Sequence, residues 1–450
     1  MSLLLVSDVL REVFLHLLDT SKSSDQHFNN EIRDLYSCIL VNRQWCEIAI
    51  PILWSRPFFH GLKHEPYNEK VIQMYVKCFD YQDKLFLLDQ GIDVSEILNY
   101  HLDTHLDAHS DAHSNTHPNC SENSAIDGIK EKSFYSNNKF DITTNPPLFN
   151  YPGFLRILNY TSMIKAVEAW CYYLSIEMEK TQSLDLLENA EILIFRSLLK
   201  LCLNKGARLH ELILCPDQFD PSNDEMYMSL VDDEFRDLFA PIRTLEFSGM
   251  VRMDGLLQLL SQRCHGIEHM RVTTLWARRN NDRLVGIFRD SLTSLFAVQN
   301  SLTSFELSNC KAYTSAILPV LGLHTSTIRY IRFDNVNFEG CDPLCILSDC
   351  KNMDVLEITQ CANLSEEMVD PIMKAKFKSG FEVRLVGDEM LQCEKFKDWV
   401  NKNSRFNKNK SVGNVGNNCM INLGFFCERN DANISSIDDI EENIVNEKKR

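Results

Sequence analysis

"CKNMDVLEITQCANLSEE", residues 350–367, carries the pattern that decides the fold of this chain. Leu356 and Ile358 are two residues apart, so in an extended strand they share one face while Glu357 points to the other. Met353 precedes them by three, giving a Leu-x-x-Leu-x-Leu motif or a close equivalent. The same motif occurs upstream as "IRYIRF" (328–333), "LTSFEL" (302–307), "IEHMRV" (267–272), "IRTLEF" (242–247) and "LHELIL" (209–214). Successive starts, read from residue 209 onward, are 33, 25, 35, 26 and 25 residues apart. Self-similarity at that period predicts a stacked repeat in which each unit supplies a short parallel strand and a helix that returns over the convex side.

In each strand the residue between the two apolar positions points to the concave face. Those residues are Ile213, Glu246, Arg271, Glu306, Arg332 and Glu357. Their charges alternate in sign, and His269, Ser304, Tyr330, Asp334 and Thr359 flank them. Strands about 4.8 Å apart let such charges pair along the sheet. The same row is also the natural recognition stripe of an extended binding surface, so Glu246, Arg271, Glu306, Tyr330, Arg332 and Glu357 are the candidate substrate-binding residues. Cys264, Cys310, Cys350 and Cys361 recur at fixed places in the units and read as small apolar wedges. Cys341, Cys345 and Cys350 lack the paired spacing and the histidine of a zinc site, so no metal is expected there.

The bulk numbers narrow the partners. The 450 residues carry a net charge of −17, which argues against nucleic acid and against an anionic membrane surface. No stretch reaches the roughly 18 apolar residues of a membrane span. The start, "MSLLLVSDVLREVF", has no basic leader, and the 16 cysteines contain no Cys-x-x-Cys pair. Both features predict a reduced cytoplasmic or nuclear protein.

The first sixty residues are of another kind. Val6, Val9, Leu10, Val13, Phe14 and Leu17 recur at helical spacing, with Ser7 as the expected cap. A second helix is predicted from about Ile32 to Leu40 and a third from about Asn42, ended or turned by Pro51. Three short helices make a poor core by themselves, so this segment reads as an interaction module.

"LVSDVLREVFLHL" (5–17) followed by "DLYSCILVNRQWCEIAIPILW" (34–54) resembles the F-box, the helical motif that docks on the adaptor of Skp–cullin–F-box ubiquitin ligases. The spacing from Val41 through Trp45 to Trp54 matches the family pattern, and "LVNRQWCEIAIPILWSRPF" is similar to F-box proteins expanded in some fungi. The family usually has Leu-Pro at the start; here Leu5 is followed by Val6, which keeps the apolar contact and gives up the fixed turn. The resemblance implies that Leu5, Val6, Val9, Leu10, Phe14, Val41, Trp45, Leu53 and Trp54 divide between a small core and the contact with a Skp-type adaptor, and through it a cullin. The repeat units likewise resemble the cysteine-containing leucine-rich repeats found in many F-box proteins.

The expected architecture is an α + α/β solenoid: an F-box over 1–58, a helical connector over 59–98, a low-complexity loop over 99–147, a helical region over 148–204, a leucine-rich-repeat array over 205–388 and a mostly disordered tail over 389–450. Within the loop, His101, His105, His109, His113 and His117 recur every fourth residue. On a helix they would share a metal-binding face, but the turn-rich sequence that follows favours a repeat expansion without a metal role. There is no phosphate loop, metalloprotease motif or nucleophile elbow. The chain thus reads as a non-catalytic, cofactor-free receptor that brings an unknown protein substrate to a ligase. The alternative is a leucine-rich-repeat scaffold that recruits no ligase.

Overall fold

The structure is a computed structural model that describes residues 2–19, 34–58, 67–92, 94, 147–177, 184–214, 230, 232–248, 254–273, 282–310, 314–386 and 393–408. They divide between two compact units, one within residues 1–49 and one within 50–413.

The second unit is built on an eight-stranded sheet whose order follows the chain, β1 to β8, with every pairing parallel. The strands are β1 (Ile157–Asn159), β2 (Glu211–Leu214), β3 (Thr244–Ser248), β4 (His269–Thr273), β5 (Ser304–Ser308), β6 (Tyr330–Asp334), β7 (Val355–Thr359) and β8 (Glu382–Val386). Helical segments separate successive strands, among them Tyr160–Glu177, Leu184–Asn204, Asp254–Arg263, Asp282–Ala297 and Glu366–Lys374, so the arrangement is α/β. Because the order never reverses, connections of the usual right hand return over one side only.

Burial records that asymmetry residue by residue. From β3 to β7 the apolar pairs Leu245/Phe247, Met270/Val272, Phe305/Leu307, Ile331/Phe333 and Leu356/Ile358 are buried, while the residues between them are only partly covered. One face of the sheet is therefore the core and the other is open. All six strands expected from the repeated motif are present. The sheet is wider than the sequence suggested: β1 lies in the stretch read as a helical region, and β8 closes the other edge. Ile157–Asn159 is too short to show an alternation.

One buried amide side chain inside the core is fully engaged, while the Tyr75 hydroxyl is buried without a hydrogen-bond partner among the described residues. The buried Gln299 donates from Nε2 to the carbonyls of Cys264 (2.6 Å) and Leu295 (2.9 Å), and its Oε1 accepts from the Ile267 amide (2.9 Å). The repeat cysteines behave as wedges. Cys264, Cys310, Cys350 and Cys361 are buried, and burial pushes the Cys264 thiol up to about 12. A second correction falls at the C-terminal end. The region read as a disordered tail contains the helix Glu394–Lys408, with Phe396 and Val400 in the core; the chain beyond it lies outside the described residues.

In the first unit, α1 spans Ser2–Asp19, α2 covers 34–39, and α3 begins here as Arg43–Leu53. Asn42 starts α3, its Oδ1 accepting from the Trp45 amide at 2.9 Å. Ser7 is not a cap. It lies inside α1 because the apolar run before it is itself helical, and its hydroxyl accepts from Gln44 Nε2 (3.1 Å). Pro51 is accommodated inside the last turn of α3, which stops two residues later, so it lies close to the predicted end.

Candidate functional site

Two surfaces carry the residues singled out by the sequence. In the first unit, Phe14 is 1% exposed and meets Trp45 edge-to-face at 5.3 Å, with Leu35 and Ala49 also buried. Around this small centre Val9 (56%), Val13 (48%), Tyr36 (58%), Leu40 (86%) and Val41 (56%) are exposed. Five of the twelve large apolar side chains that meet solvent among the described residues thus belong to α1, α2 and the turn after α2. Leu10 and Trp45 are half-buried.

The remaining expected docking residues fall differently. Phe14 is interior, because α1 and α3 need one large aromatic between them. Leu53 is 7% exposed in the second unit. Trp54 packs there on Tyr151 (4.4 Å between ring centroids) and Tyr75 (5.6 Å). Leu53 is buried and Trp54 half-buried, so both fall toward the core side of the expected division between a core and an adaptor contact, and the core they join is that of the second unit. Leu5 and Val6 lie on the backbone of α1, but their side chains are outside the described residues.

The second surface is the open face of the sheet. The register puts Glu246, Arg271, Glu306, Arg332 and Glu357 side by side in one row and extends it to Arg384 on β8. Arg271 is the best-held member: Nη1 donates to Glu246 (2.6 Å) and Nε to Glu306 (2.9 Å). Burial works against its charge, but the two carboxylates outweigh that and hold its pKa above the ordinary guanidinium value. Arg332 is looser, with Nε 3.7 Å from Glu306 and 3.5 Å from Glu357, while its Nη2 meets Asp334 at 3.2 Å. The Tyr330 hydroxyl donates to Glu357 (3.3 Å), and burial, then Glu357 and Glu306, pushes its pKa up to about 12.

Charge alternation therefore pairs the charges of the central row internally, although the buried Arg332 Nε makes no hydrogen bond of its own. A ligand on this face must either open an ion pair or read the flanking rows, where His269 is exposed and Ser304, Tyr330, Thr273, Asp334 and Thr359 are partly exposed. Three participants escaped the sequence reading: Arg384, its partner Glu382 (3.0 Å) and Glu211. Glu211 starts β2, and burial followed by Glu246 raises its carboxyl to about 7, against the opposing pull of Arg271 and Arg56. "FEVRLV" shows the alternation that would have revealed Arg384.

No group of three potential metal ligands occurs among the described residues, and the histidine run 101–117 lies outside them. No helix among the described residues is long and apolar enough to cross a membrane. No family model matches the chain, and no curated protein matches it.

Proposed function

We propose that this chain is an F-box substrate receptor: its N-terminal helices dock on a Skp-type adaptor, and its parallel sheet is a leucine-rich-repeat array that presents a target protein for ubiquitination. The observation that carries the reading is the concentration of exposed apolar side chains at Val9, Val13, Tyr36, Leu40 and Val41. Burying a large aliphatic side chain is worth about 1.5–3 kcal/mol, so a few such anchors support a stable complex. The order and spacing of the two quoted motifs supply the partner. The receptor contributes no chemistry; it raises the effective concentration of the target near the ligase.

The target is read on the open face, with Tyr330 and the flanking polar rows supplying recognition and the paired charges Glu246, Arg271, Glu306, Arg332 and Glu357 holding them in place. The scaffold alternative draws on Leu53 and Trp54, which serve the core of the second unit and leave fewer groups for an adaptor.

Titrating the purified full chain against a purified Skp-type adaptor separates the two readings. The exposed pair is the informative target, since Trp45 also supports Phe14. Leu40→Ser with Val41→Ser is expected to weaken capture about a hundredfold while leaving the melting temperature unchanged. Absence of binding by the unaltered chain would favour the scaffold. Deleting 99–125, which contains the histidine run, is expected to leave capture intact.

A further inference from the structure

Along the edge where the strands begin, the backbone forms a second repeating device. From β1 to β6, the residue ahead of a strand accepts two amide hydrogens from the start of the next. The Ser55 carbonyl accepts from Arg156 (2.8 Å) and Ile157 (2.9 Å), that of Arg156 from His210 (2.7 Å) and Glu211 (3.1 Å), and that of His210 from Arg243 (2.8 Å) and Thr244 (2.9 Å). The Arg243 carbonyl continues the row to Glu268 (2.7 Å) and His269 (3.0 Å). Arg156, His210 and Arg243 are therefore neighbours on consecutive strands, about 4.8 Å apart. Arg208 stands two residues before His210.

Few carboxylates answer these cations. Arg156 Nη1 donates to the carbonyls of Gly153 (2.9 Å) and Leu155 (2.7 Å), which fixes its direction without neutralising it. Arg243 is held by the Gly266 carbonyl (3.1 Å) and shares its charge with Glu268 at 3.5 Å. Arg208 and His210 are exposed and have no side-chain partner among the described residues. Glu211, next to His210 in the chain, is half-buried, and Arg56, next to Ser55, acts on it. The imidazole reports the crowding: burial, and then Arg156, Arg243 and Arg208, lower its pKa below the ordinary histidine value. A chain of net charge −17 thus gathers three guanidiniums around one histidine.

We propose that this strand-start edge, formed by Arg156, Arg208 and Arg243 around His210, binds an anionic peptide segment through carboxylate or phosphate oxygens. Guanidinium forks match either group in a bidentate way. The row spans three strands, about 10 Å, which suits one or two anionic groups on a peptide and not a nucleic-acid backbone track. The chain's net negative charge also repels a long polyanion. The site is separate from the open face and stands whether or not the N-terminal helices recruit an adaptor.

The test is fluorescence anisotropy on the full chain with four labelled probes: a neutral serine-containing peptide, its phosphoserine copy, its glutamate-rich copy and a single-stranded oligonucleotide of equal charge. At least one anionic peptide is expected to bind in a salt-dependent way and the neutral copy is not; whichever anionic copy binds more tightly identifies the source of the oxygens. Arg156→Gln with Arg208→Gln is expected to lower that affinity about tenfold or more, and Arg329→Gln, an exposed arginine farther along the same row, to leave it unchanged. The His210 pKa, followed by NMR, rises on binding. Should Arg156→Gln disturb the fold, Arg208→Gln alone, at an exposed position, still decides the matter. Equal binding by the arginine variants, tighter binding of the oligonucleotide, or binding of neither anionic peptide overturns the proposal.

Discussion

In the N-terminal unit, Val9, Leu40 and Val41 face solvent around a centre of Phe14, Leu35 and Ala49; in the sheet unit, every strand from β3 to β7 buries both of its alternating apolar residues. Size accounts for part of the contrast, since a few short helices cannot enclose the apolar surface that their own amphipathic pattern creates. Periodicity accounts for the rest. Each strand of the sheet finds an equivalent strand beside it, so an apolar position is covered by its own repeat. The helices have no such copy. An apolar side chain in the sheet therefore reports folding, whereas Val9, Val13, Tyr36, Leu40 and Val41 stay uncovered by their own unit and are the groups that the proposed docking would use.

The largest test of that contrast deletes comparable apolar groups in the two places. Phe305 is fully buried and meets Phe296 edge-to-face at 5.5 Å, so Phe305→Ala is expected to cost about 3–5 kcal/mol in urea unfolding. Val9→Ala, at an exposed position, is expected to change stability by less than about 0.5 kcal/mol and to act on adaptor affinity instead. Similar losses at both positions would remove the distinction between a core and a docking face.

The charged row ranks next. Arg271→Met leaves Glu246 and Glu306 facing each other across β4 with no cation between them, and the expected loss is about 2–3 kcal/mol. Adding Glu246→Gln and Glu306→Gln to it is expected to restore most of that stability, because the penalty comes from orphaned carboxylates and not from a missing attraction. A triple variant as unstable as the single one would mean that Arg271 acts through its packing.

Much of this was legible in the sequence, and the reasons are local. Leu356-Glu357-Ile358 and its counterparts announce their strands because a two-residue alternation recurs at intervals of 25 to 35 residues, each long enough for one returning helical segment. The same alternation placed Glu246, Arg271, Glu306, Arg332 and Glu357 in one row before any register was known. β1 was hidden because three residues carry no period, and the helix Glu394–Lys408 because its polar composition masks the spacing of Phe396 and Val400. The roles of Leu53 and Trp54 were not legible either: an aromatic at the end of an amphipathic helix packs equally well on a partner or on its own chain. The basic edge escaped because Arg156, His210 and Arg243 are far apart in sequence and become neighbours only through the stacking of strand starts.

Glu211 gives a smaller, pH-dependent effect. Its carboxyl is raised to about 7 in the folded chain from an ordinary value of 4.5, so the folded state binds the proton more tightly than the unfolded one. Between those two values the native state holds more protons, and its stability falls as pH rises through the window. Glu211→Gln removes this dependence. The variant is expected to flatten the curve of melting temperature against pH between about 4.5 and 7 and, allowing for screening at a partly exposed site, to gain about 2 kcal/mol over the unaltered chain at pH 8. An unchanged pH curve would place the burial of Glu211 in doubt.

The smallest effect concerns the turns that let the sheet repeat at all. Among the described residues, those other than glycine with positive φ are Asn309 (54°), Asn335 (53°), Gln360 (51°) and Asn363 (57°), and they follow β5, β6 and β7. The N-terminal unit has none among its described residues. Asparagine tolerates the left-handed region better than other side chains with a Cβ, and here its amide is used as well: Asn335 Nδ2 donates to Asn309 Oδ1 at 2.8 Å, while the Asn335 amide donates to the Thr359 carbonyl at 2.8 Å. Two separable contributions follow. Asn335→Gly keeps the backbone conformation and loses only the side-chain bond, an expected cost of about 0.5 kcal/mol. Asn335→Ala loses the bond and adds left-handed strain, about 1–2 kcal/mol in all, and Asn335→Val costs more because a branched Cβ fits that region worst. Urea unfolding of the three variants is expected to rank them in that order. If glycine proved as damaging as valine, the asparagine amides themselves, and not the backbone angle, would be what joins one repeat to the next.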